Sequence, residues 1–269
     1  MILLGCTLVV VLCGLLSWLS RSDGASRDEE VLLLYCAAGV KPPVSELVKL
    51  FEAQFGIKVE IQYGGSGSLL SNITVYRRGD LYIAADQSYI DQARERQLVQ
   101  EVFPLAKQNP VIVVSKGNPR NIQSLDDLLL PGLRLALGNP EVASIGRQTK
   151  IQLEKAGYWD EVLASVQKRG VFKPAVPEIA NDVKLGAVDA GIVWDATAAQ
   201  FSGLEEVSVP ILDQAVEEIS IAILLSSHKR KSARKFVSFF QGEVGREVFE
   251  RYGYDAGDSE ELNPNGPAK

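Results

Sequence analysis

The sequence predicts an α/β fold, and three observations carry that reading. Strand-like and helix-like stretches alternate from about residue 31 to residue 252. Several of the strand candidates are continuous apolar runs, the pattern of parallel strands covered on both faces. Glycine and other small residues sit where each strand hands over to a helix, and in a parallel sheet such turns share one edge, where ligands bind.

Val31-Leu32-Leu33-Leu34-Tyr35-Cys36 is the first strand. Ala37-Ala38-Gly39-Val40-Lys41 turns into a helix with Pro42 and Pro43 in its first turn, where proline is tolerated. Val44, Leu47, Val48, Phe51 and Phe55 form its buried face, and Gly56 ends it. Ile57 to Gln62 alternates as a second strand. Asp80 to Asp86 is a third, and Asp86 caps a helix that runs to about Leu98. Pro110 to Ser115 is a fourth, closed by Lys116-Gly117-Asn118-Pro119. Ser124 and Asp127 have the spacing of a capping arrangement. Leu133 to Leu137 is a strand, and Gly138 to Gly146 is a turn into a helix ending near Gly157. Val171 to Val176 leads to Pro177 at a helix start. Ala190 to Trp194 and Ile219 to Leu225 are buried strands, and two amphipathic helices close the fold before Gly253.

Between the second strand and its helix lies Tyr63-Gly64-Gly65-Ser66-Gly67-Ser68-Leu69-Leu70. A glycine-rich turn at a helix start leaves backbone N–H groups bare, and the helix adds roughly half a unit of positive charge there. Serine hydroxyls can donate as well. Such a turn is either a flexible connection or a cradle for an anion held without lysine or arginine. No Gly-Lys-Ser/Thr follows, so it is not the phosphate loop of nucleotide hydrolases.

The 269 residues make one large domain or two lobes. A net charge of −6 argues against a nucleic-acid surface. The single histidine, His228, sits beside Lys229, Arg230 and Lys231 in a solvated basic patch, which excludes a double-histidine metal site. No cofactor and no resident metal are expected. Cys36, alone in the folded part, reads as a small buried apolar residue. Ile2 to Leu19 carry no charge and suit a secretory signal or a membrane anchor, with a charged spacer to Glu30. Leu3-Leu4-Gly5-Cys6 looks like a bacterial lipobox, although the apolar stretch before it is short; either translation starts further upstream or the match is chance. Residues 256–269 read as a disordered tail.

Six stretches, in order and spaced from residue 31 to 255, resemble the periplasmic molybdate-binding proteins of ABC importers. They are Tyr35-Cys36-Ala37-Ala38-Gly39, Tyr63 to Leu69, Gly79 to Gln87, Arg134 to Glu141, Gly186 to Trp194 and Phe249 to Tyr254. The resemblance implies the two-lobed type II periplasmic-binding-protein fold with hinge strands. Lobe I would comprise 31–110 plus 218–255 and lobe II 111–217, and the pair would close over a tetrahedral oxyanion. It implies molybdate or tungstate as ligand, an ABC transporter permease as partner, a monomer, and a periplasmic protein tethered by residues 1–30. The ligand-binding residues it implies are Gly39, Ser66, Ile145, Val176 and Trp194. Two depart from the family pattern. Gly39 lacks the expected hydroxyl, leaving its N–H, and Trp194 replaces a tyrosine phenol with an indole that only donates. Sulfate or phosphate therefore stays open as the anion. Asp195 either caps the helix that follows or accepts a proton from a partly protonated oxyanion. An enzyme on the same fold class is the rival reading, opposed by the absence of a paired nucleophile and base. A sensor domain would need an attached signalling region, and neither terminus supplies one.

Overall fold

The computed structural model describes residues 30–257. The apolar N-terminus, Cys6 and residues 258–269 lie outside them. In chain order the elements are β1 (Val31–Ala37), α1 (Lys41–Phe55), β2 (Lys58–Gly64), α2 (Ser66–Tyr76), β3 (Leu81–Ala84), α3 (Gln87–Glu95), β4 (Val99–Gln108) and β5 (Pro110–Ser115). Then come β6 (Leu135–Gly138), α4 (Ser144–Ala156), α5 (Trp159–Arg169), β7 (Val171–Lys173), α6 (Val176–Lys184), β8 (Ala190–Trp194), α7 (Asp195–Gln200) and β9 (Leu204–Val207). A short α8 (Pro210–Asp213), β10 (Glu217–Leu224), α9 (Arg230–Gln241) and α10 (Glu243–Arg251) complete the chain.

The strands form two five-stranded sheets, ordered β2-β1-β3-β10-β4 and β7-β6-β8-β5-β9. In the first, β1 runs parallel to β2 and β3, and β10 runs antiparallel to β3 and β4. In the second, β6 runs parallel to β7 and β8, and β5 runs antiparallel to β8 and β9. Each sheet is the core of one lobe. The apolar runs behave as their composition demands: β3 and β8 are buried at every residue, because helices cover both faces. β2, at an edge, alternates exposed and half-buried positions.

Each sheet carries its own apolar core. In the first lobe, Phe51 of α1 lies edge-on to Phe236 of α9 at 4.9 Å, and Phe236 stacks on Phe240 at 4.2 Å. The chain passes between the lobes through Asn109, which alone separates β4 from β5, and returns between β9 and β10.

Several predicted ends hold. Pro42 and Pro43 open α1, Gly56 closes it with φ +67°, and Asp86 caps α3 by accepting from the Tyr89 N–H. Ser124 donates N–H and O–H to Asp127 Oδ2, each at 2.9 Å. Other elements escaped the pattern. β4 carries Pro104 and mixed polarity, and its edge position with a register shift opposite Ile219/Ser220 tolerates both. Val171 to Lys173 forms the short strand β7, and the helix expected at Pro177 begins one residue earlier, at Val176. Of the expected tail, residues 258–269 lie outside the described residues; at its start Asp255 bridges Lys107, and Ala256 is fully buried in the first-lobe core.

Candidate functional site

Turns from both lobes meet around one small hollow. Thirteen residues line it and none is charged. Its interior is about 20 Å³, on the measure by which one water needs about 10–15 Å³. As it stands it holds one or two water-sized atoms, and it excludes a sugar or a peptide. All five residues predicted for the site, Gly39, Ser66, Ile145, Val176 and Trp194, are on its wall.

The first-lobe side is built from the turns after β1 and β2. Gly39 sits in a short 3-10 turn before α1, and its carbonyl accepts from the Tyr254 hydroxyl at 2.8 Å. Burial holds that phenol well above its usual range, so it stays a neutral donor. A Cβ at Gly39 would lie 2.9 Å from Val176 Cγ1 of the other lobe. The missing serine side chain is thus matched by a valine that occupies its space.

Gly65 and Ser66 form the second turn. A Cβ at Gly65 would lie 2.3 Å from Pro174 O and 2.5 Å from Val142 O, both backbone atoms of the second lobe. Only glycine lets the lobes approach this closely. Gly67 N–H then donates to Val142 O at 3.0 Å. Ser66 is the first residue of α2, and its Oγ accepts from the Ala85 N–H at 3.2 Å and from the Ser144 hydroxyl at 2.7 Å. With both lone pairs engaged, its own proton is left to donate.

The second-lobe side is the start of α4. Gly146 packs so tightly that a Cβ would lie 2.4 Å from Gly138 carbonyl atoms, which seats the helix end against β6. The first intrahelical bond is Arg147 N–H to Ala143 O, at 3.0 Å. The N–H groups of Ser144, Ile145 and Gly146 therefore have no acceptor within the helix. Val176 opens α6 in the same manner, with Pro177 behind it supplying no N–H. Trp194 ends β8, fully buried, and the Cδ1 edge of its indole faces Gly39. Helix starts from both lobes thus direct partial positive charge at one point.

The nearest carboxylates stand outside the wall. Asp195 begins α7, with Trp194 as the N-cap residue, so it does not cap that helix in the expected way. Its Oδ1 accepts from Asn109 N–H at 3.2 Å and Ala196 N–H at 2.7 Å, and its own N–H donates to Asn109 O. It pins the interlobe crossing. Asp86 is completely buried behind Ser66 and Ser144, and its Oδ2 has no hydrogen-bond partner. Burial raises the pKa of both groups.

Ser144, Ala85 and Asp86 were not singled out from the sequence as site residues. Ser144 lies inside the flagged turn before α4, one residue from Ile145, so its position was readable; its bond to Ser66, 78 residues away, was not.

The model of the bacterial extracellular solute-binding protein family matches residues 32–255. A Haemophilus influenzae protein described as a binding protein is 27% identical over 224 residues, 83% of this chain and 90% of that one. The molybdate-binding protein ModA of Escherichia coli is 25% identical over 242 residues, 87% of this chain and 92% of its own. Among solved structures, the periplasmic molybdate-binding protein of Azotobacter vinelandii superposes with a TM-score of 0.72 at 21% identity, covering 84% of this chain and 100% of that one. The sulfate-binding protein SubI of Mycobacterium tuberculosis superposes with a TM-score of 0.74 at 18% identity, covering 89% and 92%. With a match over most of its length and a two-lobed fold closing on one small hollow, the chain belongs to the bacterial extracellular solute-binding proteins, which bind rather than transform their ligands.

Proposed function

We propose that the hollow captures molybdate or tungstate outside the cytoplasmic membrane and that the loaded protein delivers it to an ABC transporter permease. The observation that carries this reading is a hollow of about 20 Å³ with an uncharged wall rich in donors. The Ser66 hydroxyl, the Trp194 indole N–H and the backbone N–H groups of Gly39, Ile145 and Val176 would each meet an anion oxygen. Each bond to a charged acceptor is worth about 1.5–3 kcal/mol. Micromolar affinity needs about 8 kcal/mol net, which five such donors, about 7.5–15 kcal/mol together, reach only toward the upper end of that range once desolvation and closure are subtracted. The resemblance of the whole chain to ModA supports the choice of anion. Lobe I (31–110 plus 218–255) and lobe II (111–217) would close as two bodies, with the protein a monomer tethered through residues 1–30.

A hydrogen phosphate carries a proton that needs an acceptor. Asp195 is engaged at the interlobe crossing and Asp86 lies behind the two serines, which favours fully ionised anions. Sulfate is the second reading, on the likeness to a sulfate-binding protein fold. Calorimetric titration with molybdate, tungstate, sulfate and phosphate decides between them. The two larger anions are expected to bind most tightly. Sulfate binding tightest would install the second reading, and phosphate binding as well as molybdate would overturn both.

A further inference from the structure

A second cavity lies between the lobes, separate from the hollow. It is a groove of about 390 Å³ between α3 and α4, within the range of small-molecule sites, about 300–1,000 Å³. Tyr89, Gln92 and Arg96 line it from the first lobe, and Arg147 and Lys150 from the second, with Glu141 and Glu154 also on its wall. Lys150 is paired with Glu154 at 3.8 Å. Among the described residues no carboxylate lies within ion-pairing distance of Arg96 or Arg147.

The groove also gathers unpartnered buried polar atoms. Six such side-chain atoms occur among the described residues, and three line this one groove: Tyr89 OH, Gln92 Nε2 and Arg147 Nε. Native interiors leave few such atoms, and each calls for an explanation. All three can donate. Arg96 donates to Gln92 Oε1 at 3.3 Å, so the amide oxygen is engaged and the free Nε2 is left to donate. Tyr89 is almost wholly buried, and its hydroxyl lies 2.9 Å from where a Cβ on Gly67 would stand, at the seam between the lobes. Water could satisfy donors, but Arg96, Arg147 and Lys150 outnumber Glu141 and Glu154 on this wall, and neither guanidinium is ion-paired, which favours an anion that an arginine fork holds in two places.

We propose that this groove binds a small molecule bearing a carboxylate or phosphoryl group, clasped by Tyr89, Gln92 and Arg96 from one lobe and Arg147 from the other. A ligand that touches both lobes binds the closed arrangement in preference to the open one. It would therefore strengthen oxyanion capture, and the oxyanion would strengthen its binding by the same factor. The inference does not depend on which oxyanion the hollow takes.

The test is calorimetric titration of the purified protein, without added oxyanion, using citrate and separately glycerol 3-phosphate, both too large for the hollow. At least one is expected to saturate, to bind about tenfold more weakly to Arg147→Gln, and to bind a few-fold more weakly to Tyr89→Phe. Both substitutions lie off the wall of the hollow, so oxyanion affinity measured alone serves as the check that each variant is folded. Citrate alone would identify a carboxylate site, glycerol 3-phosphate alone a phosphoryl site, and both a site for negative charge. If neither saturates by about 10 mM, or if the variants bind like the parent protein, the proposal is wrong.

Discussion

The two interlobe cavities work in opposite ways. The hollow is small, uncharged and walled by main chain and short side chains, while the groove is large and lined by long charged side chains. Donors fixed by helix starts and strand ends cannot adjust, so the hollow would select by size and geometry. Arginine and lysine reach and swing, so the groove selects by charge and tolerates shape. Both are completed only when the lobes meet, at seams made possible by Gly65 and Gly67.

The largest break in this contrast should come from Ser66→Glu. It puts an unpaired carboxylate where the anion is proposed to sit, and oxyanion affinity should fall by at least about a hundredfold. Groove binding should survive, and its parallel loss would mean that the two cavities close as one. Gly65→Ala comes next. Its φ of −66° suits alanine, so the fold is spared, but the Cβ meets backbone oxygens across the seam. Overpacking of about 3 kcal/mol predicts roughly hundredfold weaker oxyanion binding. Unchanged scattering-detected closure on ligand would refute this account. Trp194→Phe removes one donor while keeping an aromatic ring. About 1.5–3 kcal/mol, or roughly ten- to hundredfold in Kd, should be lost in calorimetry.

The smallest effect concerns pH. Burial, together with the Asp86 charge, pushes Glu217 from 4.5 up to about 7. The unfolded chain ionises this group at lower pH than the folded one does. Its contribution is therefore full below about 4.5 and is lost as pH rises towards 7. Lys155 and the Gln87 backbone N–H oppose the shift without cancelling it. Thermal unfolding should show stability declining over that window, less steeply in Glu217→Gln. Because Asp86 stands behind Ser66 and Ser144, oxyanion affinity should also fall a few-fold as the pair ionises.

The residues proposed for the hollow came from the family resemblance, and each also falls on a local feature. A glycine-rich turn, a helix start and a strand end each declare themselves within a few residues, and Gly39, Ser66, Ile145, Val176 and Trp194 all fall on such features. Asp195 was misjudged because helix capping is a local pattern, whereas its partner Asn109 is 86 residues away. β4 was missed because its edge position, which excuses Pro104, is a property of the sheet. The groove left no trace at all, since Tyr89 and Arg147 look like ordinary helix residues until the lobes meet.

By itself the sequence determined the alternation of strands and helices, the turns that bare their N–H groups and the lack of charge in those turns, because each follows from neighbours along the chain. The tertiary structure alone decided that turns more than 100 residues apart converge on about 20 Å³, that Val176 fills the space left by Gly39, and that unpaired donors from two helices face one groove. Those are facts of packing between lobes, and packing depends on atoms brought together by the fold rather than by chain order.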